Sequence, residues 1–233
     1  MNKIFATLAS KALALATTAM MSMVFTACSS DNNDPTPDPD ADKYVDLGLS
    51  VKWAKCNLGA MKAYEYGNYY AWGETASNNI FNWGNYTLCN GDQESQLKYC
   101  TNPAAGHEDF TDGLTVLEPA DDAATATLGS PWRMPTIEEI TDLRTKCTWQ
   151  YISINSIKGC LVTGPNGNTI FLPAAGYRID DTLYKGSKEG FYWSSSLETK
   201  FSISAHNLKF SSSGNENEDS YRFFGIPVRP VHP

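Results

Sequence analysis

Two runs near the C-terminus decide the fold: Gly190-Phe191-Tyr192-Trp193-Ser194-Ser195-Ser196 and Phe223-Phe224-Gly225-Ile226-Pro227-Val228-Arg229-Pro230-Val231. The first sets three large rings directly before a run of serines. The second reads as a closing strand from Gly225 to Val231 that carries Arg229. Between them a strand is expected over Ser202 to Phe210, followed by a loop rich in Ser, Asn and Glu. Thr199, Phe201, Ser202, Ser204, His206, Ser211, Ser213, Asn215, Tyr221, Phe223 and Phe224 mix short polar groups with rings. That mixture is the composition of adaptable contact surfaces. These residues form the expected ligand-binding set, with Phe201, Tyr221, Phe223 and Phe224 as its anchors. The alternative is a solvated loop on a strand pair.

Working outward, Tyr44 to Trp53 alternates Val45, Leu47, Leu49, Val51 and Trp53, the pattern of a strand with one buried side. Tyr66 to Gly73 reads as a second, aromatic strand between glycines. Residues 74–117 hold no sustained period and read as long loops, which are usually functional or mobile. A short helix is expected from Asp121 to Leu128, stopped by Gly129. A second starts at Thr136 with Glu139 placed for a capping box, Ile137, Ile140 and Leu143 on one face, and Arg144 and Lys146 at its end. Cys160–Thr163 and Thr169–Leu172 flank Asn166-Gly167, a strong hairpin signal. Trp72, Trp132 and Trp193 are expected in the core. Short strands at both ends with helices between them give an α+β class.

With Trp132-Arg133-Met134-Pro135-Thr136 added to the C-terminal runs, the chain resembles the Fibrobacter succinogenes major paralogous domain family. That family is similar to C-type-lectin-like domains and, more distantly, to sulfatase-modifying proteins. The resemblance implies a single C-type-lectin-like domain over residues 44–233, with two helices, small antiparallel sheets and long loops. It further implies a displayed binding module, adhesin-like, for a glycan or a cell-surface protein. The catalytic thiols of sulfatase-modifying domains have no counterpart, since no cysteine follows Cys160. The segment between Trp193 and Arg229 also resembles the variable region of retroelement-diversified proteins. A structural subunit or tip of a surface fibre is the other non-enzymatic reading.

Residues 1–27 carry Lys3 and Lys11, no acidic residue, and an apolar run from Ala12 to Ala27. This reads as a secretory signal, because a membrane span needs ~20 apolar residues. Cys28 after Ala27 looks like a lipobox cysteine, to be acylated with chains such as palmitate; a plain signal peptide is the alternative. Two-chain acylation anchors a protein stably where one chain does not. Residues 29–42 are acidic and proline-rich, without a large apolar side chain, and read as an extended tether. The acidic stretch resembles surface-export signals of Bacteroidota lipoproteins, which implies an outer-membrane lipoprotein facing the exterior; a periplasmic tether is the competing reading.

The full chain has 18 basic and 26 acidic residues, a net −8. Loss of Lys3 and Lys11 with the signal makes the mature chain more acidic still, which argues against nucleic acid or anionic lipid headgroups as partners. Five cysteines follow Cys28. Cys89 with Cys100 is the leading disulfide candidate and Cys147 with Cys160 the second, against the alternative that most are buried thiols. No spacing marks a metal site or a cofactor site. Glu118-Pro119 resembles the first half of a sugar-binding lectin motif, but no Trp-Asn-Asp follows it, and Asp121 and Asp122 read as helix-start charges. Ser194, Ser195 and Ser196 with His206 give a triad inventory but no Gly-x-Ser-x-Gly elbow. No catalytic residue is assigned.

Overall fold

The computed structural model describes residues 38–233; the expected signal, Cys28 and most of the expected tether lie outside the described residues. The described residues begin at Asp38, ahead of Tyr44, and the first of them already contact the domain. Asp38 accepts from the Tyr44 hydroxyl at 2.6 Å, and Asp40 accepts from Trp132 Nε1 at 2.9 Å. The end of the expected tether is therefore fastened to the domain.

Tyr44 to Trp53 is not one strand but a hairpin. β1 (Tyr44–Val45) and β2 (Lys52–Ala54) pair antiparallel, with Tyr44 opposite Ala54. The alternating residues still reach the core, because Leu47, Val51 and Trp53 are buried with the turn that joins them. The aromatic run shrinks to β3 (Tyr69–Tyr70). Residues 74–117 are irregular apart from two short 3-10 turns, Pro103–Ala105 and His107–Asp109. Asp112 organises one part of this loop by accepting the backbone N–H groups of Tyr99, Cys100 and Leu114.

Both helices form where local chemistry puts them. α1 spans Ala123–Leu128, with buried Asp122 capping Ala124 and Thr125 and also accepting Met134 N–H. Asp121 lies outside the cap and accepts from Lys98 and the Tyr99 hydroxyl. α2 spans Ile137–Lys146 and carries the complete Thr136/Glu139 capping box. Glu139 also takes a two-point grip from Arg133, at 2.7 and 2.5 Å.

A three-stranded sheet follows: β4 (Thr148–Ile154), β5 (Ile157–Thr163) and β6 (Thr169–Pro173). Asn155 and Ser156, both at positive φ, make the tight β4–β5 turn. The β5–β6 connection is looser than the Asn-Gly signal suggests. Only Gly167 has positive φ, and Gly164 N–H reaches Asn168 O. β7 (Tyr177–Ile179) and β8 (Thr182–Tyr184) form a small hairpin.

The central sheet is β9 (Gly190–Leu197), β10 (Ser204–Ser211) and β11 (Gly214–Tyr221), in the order β11–β10–β9. All of β9 is buried, which is why its sequence does not alternate. Tyr192 faces a cluster with Trp53, Leu143, Leu172, Leu208 and Phe210. Phe191 and Trp193 face a second with Trp72, Tyr99, Met134 and Val228. Gly190 is obligatory here, since a Cβ would lie 2.1 Å from the Phe210 ring. Trp72, Trp132 and Trp193 are core, as expected, and Trp72 Nε1 and Trp193 Nε1 donate to Ser194 O and Tyr70 O.

The last strands pair with the early strands of the described region. β12 (Ile226–Pro227) pairs with β3, and β13 (Val231–His232) pairs with β2. Arg229 and Arg222 are buried without a carboxylate partner among the described residues. Arg229 donates to Asn57 Oδ1 and to the carbonyls of Ala54, Lys55 and Phe171. Arg222 donates to Tyr86 Oη and to the carbonyls of Tyr99, Ser202 and Lys98, with its guanidinium 5.0 Å from the Trp72 ring centre. Every strand pair among the described residues is antiparallel, and the class is α+β.

The expected disulfides are not formed. Cys89, Cys100, Cys147 and Cys160 are free thiols. Cys89 Sγ donates to the carbonyls of Trp83 and Tyr86, and Cys100 Sγ donates to Asn102 O. Each sulfur is aimed at its own loop rather than at the other.

Candidate functional site

A mixed polar and aromatic cleft of about 480 Å³ opens between the β7–β8 hairpin and the β9–β10–β11 sheet. Local structure builds its walls from three directions. The positive-φ turn at Asp180 lets β8 fold back and lay Tyr184 on Tyr177. The bulge between Ala205 and Asn207 re-aims β10, and the turn after β11 brings Tyr221 and Phe224 to the rim.

Tyr177 is the hub. Its ring stacks between Tyr184 (5.6 Å, 14°) and Phe224 (5.2 Å, 8°), and meets Phe191 edge-on at 5.0 Å. Such offset and edge contacts stabilise beyond area burial, by about 0.5–1.5 kcal/mol per pair. Against the rings stand Lys185, Glu189, Lys209 and Glu218. Lys209 is clamped by Glu218 at 2.5 Å and Glu216 at 3.0 Å, and the Glu218 hydrogen bond first, then Glu216, holds its ammonium above the ordinary lysine value. Lys185 pairs with Glu189 at 3.2 Å. The cleft therefore offers apolar ring surface beside fixed donors and acceptors of both signs, suited to a neutral polar ligand with apolar faces.

Of the expected binding residues, Ser204, Tyr221 and Phe224 line this cleft. The others do not join them. Phe201, 65% exposed, edges a separate hollow of about 170 Å³ with Ser202 and Asn102. Ser202 is buried, and its hydroxyl is used up by Thr101 N–H and Thr101 Oγ1. The exposed Thr199 gives its carbonyl to Thr101. Ser211, Ser213 and Asn215 sit at the β10–β11 tip, where Ser211 and Ser213 bond each other at 2.7 Å. Phe223 is buried against Trp83 at 4.9 Å and packs in a third cluster with Tyr69, Phe81 and Tyr86. Ser202 and Phe223 thus belong to the framework and not to a contact surface.

Sequence reasoning missed Tyr177, Lys185, Glu189, Phe191, Lys209 and Glu218. The alternation of Lys209 with Phe210, and of Glu216 and Glu218 with the asparagines, was a usable signal for cross-strand charge pairs. The approach of the β7–β8 hairpin had none.

His206 meets Asp219 through Nδ1 and Glu198 through Nε2, the latter at 3.5 Å. One ligand atom from each of Glu198, His206 and Asp219 lies within 4.8 Å of the other two, and these contacts tie the residue just after β9 to β10 and β11. Asp38, Asp40 and His232 also converge, but Lys43, Lys52, Tyr44 and Trp132 already engage those carboxylates. Ser194 does meet His206, but its hydroxyl donates to the His206 carbonyl at 2.7 Å and not to the imidazole. Glu118 is held by Lys98 at 2.5 Å.

Comparison with protein-family models, with curated proteins and with solved structures found no match for this chain.

Proposed function

We propose that this chain is a lipid-anchored cell-surface binding module of C-type-lectin-like architecture, which recognises a glycan or a protein ligand through its C-terminal region. The observation that carries the reading is the cleft itself, where Ser204, Tyr221 and Phe224 join Tyr177, Lys209 and Glu218. Ring surface bordered by clamped charges binds sugar or peptide by stacking and hydrogen bonding, with little ordering cost because Lys209 is already held. The pairing of terminal strands β2 and β13, two helices between, and a second set of small sheets bearing loops supports the lectin-like assignment. Attachment through Cys28 to the outer membrane, facing the exterior, rests on the signal and tether composition.

The test is a glycan and cell-surface protein array probed with residues 38–233, the span that includes Asp38 and Asp40. Binding that is lost in Tyr177→Ala supports the cleft. Binding that survives it, or none on any array surface, counts against this reading.

A further inference from the structure

The β4–β5 hairpin leaves one long edge open. β4 is the outer strand of its sheet, and β5 is its only strand partner among the described residues. Backbone N–H and C=O groups of alternate β4 residues therefore point away from β5, in the plane of the sheet. Natural edges are blunted by charge, proline, a bulge or brevity. Thr148-Trp149-Gln150-Tyr151-Ile152-Ser153-Ile154 has none of these. It carries no charge, proline or glycine, and it pairs with β5 along its whole length without a register shift. β11, the outer strand of the central sheet, shows the usual protection with Glu216, Glu218 and Asp219. No β4 residue is buried.

We infer that β4 is a self-association edge, on which a second copy of this chain docks antiparallel about a two-fold axis at Tyr151. A row of main-chain donors and acceptors can be satisfied in series only by another strand, which fixes the kind of partner. The sequence of β4 favours its own copy. Centred on Tyr151, Trp149 faces the small Ser153, Gln150 faces Ile152, and Thr148 faces Ile154. No like charges meet, although the chain as a whole carries −8. The two sheets would then run on as one continuous antiparallel sheet with an isologous contact.

The test measures the oligomeric state of the full chain in mild detergent by sedimentation velocity, with amide exchange read across β4. The wild type is expected at twice the mass of one chain, with the outward-pointing β4 amides as slow as the inward ones. Gln150→Lys with Ile152→Lys sets lysine against lysine in two pairs. It should raise the dimer Kd by more than about tenfold and free those amides. Gln150→Glu with Ile152→Lys sets opposite charges in the same pairs and should restore the dimer, which also excludes misfolding as the cause. A monomeric wild type overturns the proposal. So does a dimer that survives the double lysine, a dimer insensitive to the sign at Gln150, a different polypeptide seated on β4, or a dimer broken instead by Met61→Lys, in the apolar hollow beside Leu128 and Trp132.

Discussion

Tyr221 and Phe223 are two residues apart and stacked at 5.9 Å, yet they do different work. Tyr221 is 43% exposed at the cleft rim, while Phe223 is 9% exposed among Trp83, Phe81 and Tyr86. Truncating an exposed anchor costs affinity, and truncating a core ring costs stability. Tyr221→Ala is therefore expected to keep the melting temperature within a few degrees and to lose about 2 kcal/mol of ligand affinity. Phe223→Ala is expected to lose about 3 kcal/mol of folding stability, read by urea unfolding. The reverse assignment of losses would move the binding surface elsewhere. The residue types were legible as aromatic; their burial was not, because Tyr-x-Phe-Phe has no period that says which ring turns inward.

At the scale of elements, helices were the most legible part, because their ends are fixed within a few residues of sequence. Thr136 and Glu139 satisfy orphan N–H groups of α2 whatever the rest of the chain does. Thr136→Ala should cost about 1 kcal/mol in urea unfolding. Glu139→Ala should cost more, since it also strands the Arg133 guanidinium that grips it at two points. Equal losses would mean that the Arg133 pair contributes nothing. Strands were less legible. β1 and β2 shared an alternation that looked like one strand, because a buried turn at Leu47 to Val51 preserved it. β9 was hidden for the opposite reason, since both its faces are covered.

For the molecule as a whole, burial of neutral acids sets an alkaline limit. It pushes the Cys160 thiol up to about 12 from an ordinary 9.0, and the Tyr192 phenol up to about 12 from 10.0. Desolvation is the largest cause for both groups. In each case the unfolded chain gives up its proton first. The stabilisation is thus complete below pH 9.0 and is lost as pH rises toward about 12. The melting temperature should be flat from neutral to pH 9.0 and fall steadily above it; a flat profile to pH 12 would contradict this. At the other end of the chain, Cys28→Ser should move the protein from membranes to the soluble fraction. Unchanged membrane partition would exclude anchoring through Cys28.

What the sequence determined by itself was local or compositional: the two helix starts, the β5–β6 pair, the core tryptophans, the acidic charge and the α+β class. These follow from contacts within a few residues or from totals over the chain. Only the tertiary structure decided which members of the Ser196–Ile226 segment share a surface. Ser204, Tyr221 and Phe224 meet Tyr177 and Lys185 because a separate hairpin folds over the central sheet, while Ser202 and Phe223 are withdrawn by Thr101 and Trp83. The thiols tell the same story. Cys89 and Cys100 stand at a spacing that suits a bridge, but each side chain is turned to carbonyls of its own loop. Direction of a side chain is set by what packs around it from distant parts of the chain, and spacing along the sequence carries no record of that.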